Sequence, residues 1–192
     1  MRLVLATRNE HKLRELARVL DGVALEPLPP DVTLPPEEGD TFAANALAKA
    51  RAAAAALGRP AIADDSGIEA AALGGAPGVY SARYAGPDAT DADNLAKLRA
   101  EAPAGSGLRY VCVIAYAEPG GAERTFEGAC RGTLAGVQRG HRGFGYDPAF
   151  LPDDVGDGRT MAELADAEKD AISHRGRAAR ALLAWLEEGS TR

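Results

Sequence analysis

With 192 residues, the chain has length for one domain, or one body of two lobes, around a substantial buried core. Its 46% hydrophobic and 26% charged residues are those of a soluble globular protein, and its longest apolar run, residues 52–57, is far too short to span a bilayer. A formal charge of −6 argues against a broad nucleic-acid face, so an anionic ligand must meet a local basic cluster, a metal, or both.

Arg2 to Ala6 reads as a buried first strand. Only Leu3-Val4-Leu5-Ala6 separates Arg2 from polar Thr7, too little for a signal-peptide core, so a cytoplasmic setting without membrane partners is expected. Thr7-Arg8-Asn9-Glu10 fits a capping box with Thr7 as N-cap, and Leu13, Leu16, Ala17 and Leu20 follow at helical spacing until Asp21-Gly22. A short strand near Val23 to Leu28 leads into a Pro-rich loop ending in Glu37-Glu38-Gly39. Thr41 to Leu57 is an Ala-rich helix stopped by Gly58 and Pro60, and a strand from Ala61 to Ala63 delivers Asp64 and Asp65. A Gly-rich segment to Tyr84 precedes a helix from Thr90 to Ala102. Leu108 to Ala117 and Arg124 to Leu134 read as an antiparallel hairpin around Glu118-Pro119-Gly120-Gly121. Thr160 to Glu163 is a second capping box opening a short helix, and Ser173 to Glu187 a terminal helix. Strands alternating with helices, with a late hairpin, predict an α/β fold on a mixed β-sheet flanked by helices. Cys112 and Cys130 lie in β-like runs without CxxC spacing and read as inert core thiols.

The chemistry-bearing segment is Ala63-Asp64-Asp65-Ser66-Gly67. Asp, Ser and Gly are ordinary turn formers. Two acids at the end of a buried strand are also good material for a divalent metal whose shell substrate phosphates complete. The turn Thr7, Arg8, Asn9, Glu10, His11, Lys12 sets polar and basic groups at a helix N-terminus, a ready phosphate site, though neither a Walker A loop nor a GxGxxG fingerprint is present. Lys49 lies among alanines on the next helix, and Glu37 and Glu38 sit in the loop before it. Phe144-Gly145-Tyr146-Asp147 offers aromatic faces beside glycines, suited to stacking on a base. Lys169, His174 and Arg175 crowd donors near the last helix. No GxSxG supports a hydrolase triad.

In this order the segments resemble the noncanonical purine nucleoside triphosphate pyrophosphatases, the inosine/xanthosine triphosphate (Ham1-like) family. Its carriers are Thr7-x-Asn9-x-x-Lys12, Thr41-Phe42 with Asn45-Ala46 and Lys49-Ala50, Asp64-Asp65-Ser66-Gly67, residues 73–78 with Tyr80 to Tyr84, Gly143 to Pro148, and Ala171 to Gly176. The resemblance implies a single domain over residues 1–192, an elongated two-lobed sheet with a nucleotide cleft, and a homodimer. It implies Asp65 as catalytic acid and metal ligand, Ser66 as a substrate contact, Thr7 to Lys12 with Lys49 on the triphosphate, and Phe144 to Asp147, Lys169, His174 and Arg175 on the base. Mg²⁺ would be held by Asp65 and Glu37, with Glu38 the alternative.

The chain departs from the family at Arg8 and His11, where small residues are common, at Ala44, where Glu is common, and in an acidic loop shifted by one residue. The implied reaction is hydrolysis of ITP, dITP, XTP or dXTP to the monophosphate and pyrophosphate. A non-catalytic nucleotide-binding regulator would bind triphosphates without releasing pyrophosphate, and a Maf-like pyrophosphatase would act on other nucleotides. The intact Asp64-Asp65-Ser66 speaks against the first, and Ser173-His174-Arg175 against the second.

Overall fold

The structure, a computed structural model, describes residues 2–190. Six strands form one mixed sheet in the order β2-β1-β3-β4-β5-β6: β1 (Arg2–Leu5), β2 (Ala24–Pro27), β3 (Ala61–Ala70), β4 (Gly107–Ala117), β5 (Glu123–Leu134) and β6 (Phe150–Pro152). β1 pairs parallel with β2 and β3, whereas β6 pairs antiparallel with β5. Neighbouring β4 and β5 are joined by a connection too short for a parallel crossover, which makes them the expected hairpin. The helices are α1 (Glu10–Val19), α2 (Phe42–Leu57), α3 (Asp91–Glu101), α4 (Asp166–Ile172) and α5 (His174–Ser190). Among the described residues no helix is long and apolar enough to cross a membrane.

Local chemistry accounts for most boundaries. Thr41 caps α2 by accepting from the Ala44 amide, and Gly58 closes it in the left-handed region that glycine enters without strain. Thr90 and Asp93 form a reciprocal capping box on α3. Three expectations need correction. Asn9, not Thr7, caps α1, its Oδ1 accepting from the amides of His11 and Lys12, while Thr7 Oγ1 accepts from the Asn9 amide. Both residues are good caps, and the one nearer the apolar stripe wins. β3 does not stop at Ala63 but runs to Ala70, so Asp64-Asp65-Ser66-Gly67 is strand rather than turn. The box at Thr160 opens a 3₁₀ turn, Met161–Glu163, rather than an α-helix; Glu163 reaches back to the Thr160 amide, and the Thr160 hydroxyl donates to the Arg139 carbonyl.

The chain forms two compact units. The first comprises residues 1–65, 112–128 and 175–192, the second residues 66–111 and 129–174. Leu3, Leu5, Leu16, Leu20, Ile62, Ile114 and Leu182 fill the first core, with Trp185 edge-on to Tyr116. The second core gathers Ile68, Leu98, Leu108, Tyr110, Leu134, Phe150 and Met161. Two of the four divisions fall inside the dipeptides Asp65-Ser66 and His174-Arg175, so the chain changes unit at two of the segments that carry chemistry.

Candidate active site

In the first unit the site is built around β3. Successive strand residues point to opposite faces, which separates the side chains of Asp64 and Asp65 although they are chain neighbours. Asp64 is fully buried, and Lys12 Nζ lies 3.1 Å from its Oδ2. Arg175 donates to the same oxygen from Nε and Nη2 at 3.3 Å and pairs through Nη1 with buried Glu15. Lys49 Nζ donates to the Asp64 carbonyl at 2.6 Å and to Glu37. Burial alone would raise the Asp64 carboxyl, but the charges of Lys12, Arg175 and Lys49 outweigh it and hold Asp64 well below the ordinary carboxylate range. Lys49 is raised: burial lowers it, and Asp64, Glu37 and Asp65 more than compensate.

Asp65 behaves oppositely. Burial and the neighbouring charge of Glu37 push its carboxyl up, against a 2.9 Å hydrogen bond from Asn45 Nδ2. Two carboxylates repelling each other in a buried place fit a divalent cation, since an all-oxygen donor set suits Mg²⁺-type ions and positive charge relieves the repulsion. Among the described residues no three His, Cys, Asp or Glu side chains form a ready cage, so water and substrate oxygens would complete the shell. Asn45 also accepts from the Gly39 amide at 2.7 Å, tying the acidic loop to Asp65. A Cβ on Gly39 would stand 2.7 Å from Asn45 Oδ1 and 2.9 Å from the Ala44 Cβ, so this approach needs glycine. Glu37 is half-buried against Lys49, whereas Glu38 is exposed.

Several expected phosphate residues are engaged elsewhere. Arg8 donates to the carbonyls of Leu28, Pro29 and Val32, bracing that loop. Exposed Glu10 and His11 both meet Arg14 on the surface of α1. Ser66 is half-buried, next along β3 from Asp65.

In the second unit, Asp147 is buried with both oxygens loaded. Oδ2 accepts from Lys169 Nζ at 2.6 Å and from the Phe144 amide at 3.0 Å, and Oδ1 from the Tyr110 hydroxyl at 3.1 Å. Lys169 Nζ stands 5.4 Å from the Phe144 ring centroid, and the ring of buried His174 lies flat on Tyr110. Gly143 is left-handed (φ 72°), and a Cβ there would press on the Asp147 carboxylate and on Lys169 Nζ. Tyr146 is buried with its hydroxyl on the Ser81 carbonyl, and the Gly145 amide donates to Asp91. Of the two aromatics in the motif, Tyr146 is buried and Phe144 half-buried.

A family model described as the Ham1 family matches residues 3–185. The chain belongs to the Ham1 family. Among its relatives is a dITP/XTP pyrophosphatase of Symbiobacterium thermophilum, 51% identical over 98% of each chain. Another dITP/XTP pyrophosphatase, from Mycobacterium bovis, is 49% identical over 99% of this chain and 97% of its own. A Ham1 protein structure from Coxiella burnetii superposes with a TM-score of 0.86 at 42% identity, covering 98% and 99% of the two chains.

Within this Ham1 fold, sequence reasoning passed over Glu15, Asn45 and Tyr110 as site components and gave Arg175 to the base. The structure sets Arg175 against Asp64 and Glu15, because a buried guanidinium requires carboxylates. Glu15 left a trace, a charged residue directly beside Leu16 on the buried stripe of α1. Tyr110 left none, since tyrosine is ordinary in a strand.

Proposed function

We propose that the protein hydrolyses noncanonical purine nucleoside triphosphates (ITP, dITP, XTP and dXTP) between the α- and β-phosphates, giving the monophosphate and pyrophosphate. The observation that carries this is the first unit's buried cluster, where Lys12, Lys49 and Arg175 gather with Asp64, Asp65 and Glu37 around β3. Relatives that are dITP/XTP pyrophosphatases, about half identical over nearly the whole length, support the same substrate class. Phosphoryl chemistry asks mainly for positioning and charge neutralisation, and this cluster offers both.

Glu37 and Asp65 would hold the cation, assigned as Mg²⁺, which would supply Lewis acidity and neutralise phosphate charge. Asp65, made more basic than an ordinary aspartate by burial and Glu37, orients or deprotonates the attacking water. Lys12 and Lys49 turn from their carboxylate partners to the triphosphate, with Thr7, Asn9 and Ser66 beside them. At the base end, Phe144 offers a ring, and Lys169 and His174 supply donors toward a 6-carbonyl acceptor. Adenine presents an amino group there, and mispaired buried donors are costly. Arg175 is left out of this group, because its guanidinium is committed to Asp64 and Glu15 in the first unit's cluster. A cytoplasmic homodimer belongs to the same proposal, and equilibrium sedimentation of the purified chain tests the dimer.

The direct test of the catalytic assignment is Asp65→Asn, a near-isosteric change without the charge. It should reduce kcat for ITP with Mg²⁺ far below a tenth of wild type while the circular dichroism spectrum is unchanged. Retention of more than about a tenth, roughly 1.4 kcal/mol of barrier, would remove Asp65 from the central role.

A further inference from the structure

We infer that Tyr110 is a positioning residue for base recognition, registering donors that arrive from a loop and two helices against the rigid sheet. It rests on the proposed base site of the second unit. Phe144 and Asp147 belong to a glycine-dense loop, Lys169 to α4 and His174 to the first residue of α5. Tyr110 comes from β4, which has hydrogen-bonded strands on both sides. Its hydroxyl donates to Asp147 Oδ1 at 3.1 Å, and the other oxygen of that carboxylate holds Lys169 and the Phe144 amide.

The ring of Tyr110 does a second job. It stacks on the His174 imidazole with centroids 4.5 Å apart and planes within 5°. The ring also meets Phe150, tilted at 46° with centroids 4.7 Å apart. Tyr110 is itself buried, so one side chain from the sheet fixes both the carboxylate that orients Lys169 and the plane of His174. Removing the hydroxyl leaves Asp147 Oδ1 short of a donor in a buried place, and the carboxylate gains freedom to turn with Lys169 attached. Removing the ring as well takes away the face on which the imidazole stacks.

The two contributions separate in two variants. Tyr110→Phe keeps the stack and loses the hydroxyl; Tyr110→Leu loses both. For Tyr110→Phe we expect KM for ITP to rise about fivefold, the loss of one buried hydrogen bond, with kcat within about twofold of wild type. Tyr110→Leu should raise KM further and narrow the ITP-to-ATP ratio of kcat/KM. Inhibition by inorganic tripolyphosphate, which has no base, should be unchanged in Tyr110→Phe. An unchanged KM for ITP, or a parallel loss of tripolyphosphate inhibition, overturns the inference: the first denies any role and the second makes it merely structural. Lys169→Ala separates this from the base site itself. If Lys169→Ala collapses the ITP preference and Tyr110→Phe leaves KM untouched, only the role of Tyr110 fails. If Lys169→Ala leaves the preference intact, the base site fails with it.

Discussion

At the scale of single residues, Asp64 keeps its charge because Lys12, Arg175 and Lys49 surround it, whereas Asp65 faces another carboxylate with Asn45 as a neutral donor. The two therefore act on stability with opposite sign. Asp64, depressed by folding, stabilises the native state above the ordinary carboxylate pKa of about 3.9, and that contribution fades as pH falls below it. Asp65, raised by folding, binds its proton more tightly in the native state, so the stability it contributes is full below the ordinary carboxylate pKa and is lost as pH rises through its raised value. Asp64→Asn should thus cost about 3–5 kcal/mol at pH 7 in urea denaturation, because Lys12 and Arg175 lose their shared counter-charge. Asp65→Asn, measured without metal, should leave the unfolding midpoint unchanged or raise it, with the gain shrinking in acid. Equal destabilisation by both variants would contradict the asymmetry. An inactive variant at least as stable as its parent is what a site holding like charges together predicts.

At the scale of elements, the acidic loop, the start of α2 and β3 act as one device. Asn45 on α2 grips the Gly39 amide with its carbonyl and Asp65 with its amide, which sets Glu37 beside Asp65. Gly39→Ala would force a Cβ into Asn45 and Ala44 and push the loop outward. We expect a several-fold higher Mg²⁺ concentration for half-maximal activity, with little change in KM for ITP at saturating metal; an unchanged metal requirement would show that the loop does not set the metal site. Much of this was legible in the sequence. The Ala-rich helix and its Gly58 stop, the hairpin and the Asp pair all rest on local signals, and local signals survive folding. What was not legible depends on distant partners. Arg175 meets Asp64 across 111 positions of sequence, and Tyr110 meets Asp147 across 37. Nothing near either residue announces its partner. Asn9 and Thr7 compete as equivalent caps, and Arg8, which reads as a phosphate ligand, finds three loop carbonyls within reach.

At the scale of the whole molecule, a chain of net charge −6 has no broad attraction for a polyanion. On the proposed reading, its affinity for a triphosphate comes from the few cations gathered at Asp64 and from a metal, and its choice of base from the second unit's Lys169–Asp147 group. Ham1 membership and the two clusters make the central claim a specific one: cleavage between the α- and β-phosphates of a purine triphosphate that carries a 6-carbonyl. The measurement that tests it most directly is chromatographic product analysis with ITP, XTP and ATP at equal concentration, with Mg²⁺ and after chelation. The expected result is IMP or XMP with one equivalent of pyrophosphate, at least a hundredfold slower turnover of ATP, on the scale that mispaired buried polar groups allow, and no turnover after chelation. Release of IDP with inorganic phosphate, or equal rates for ITP and ATP, would contradict it.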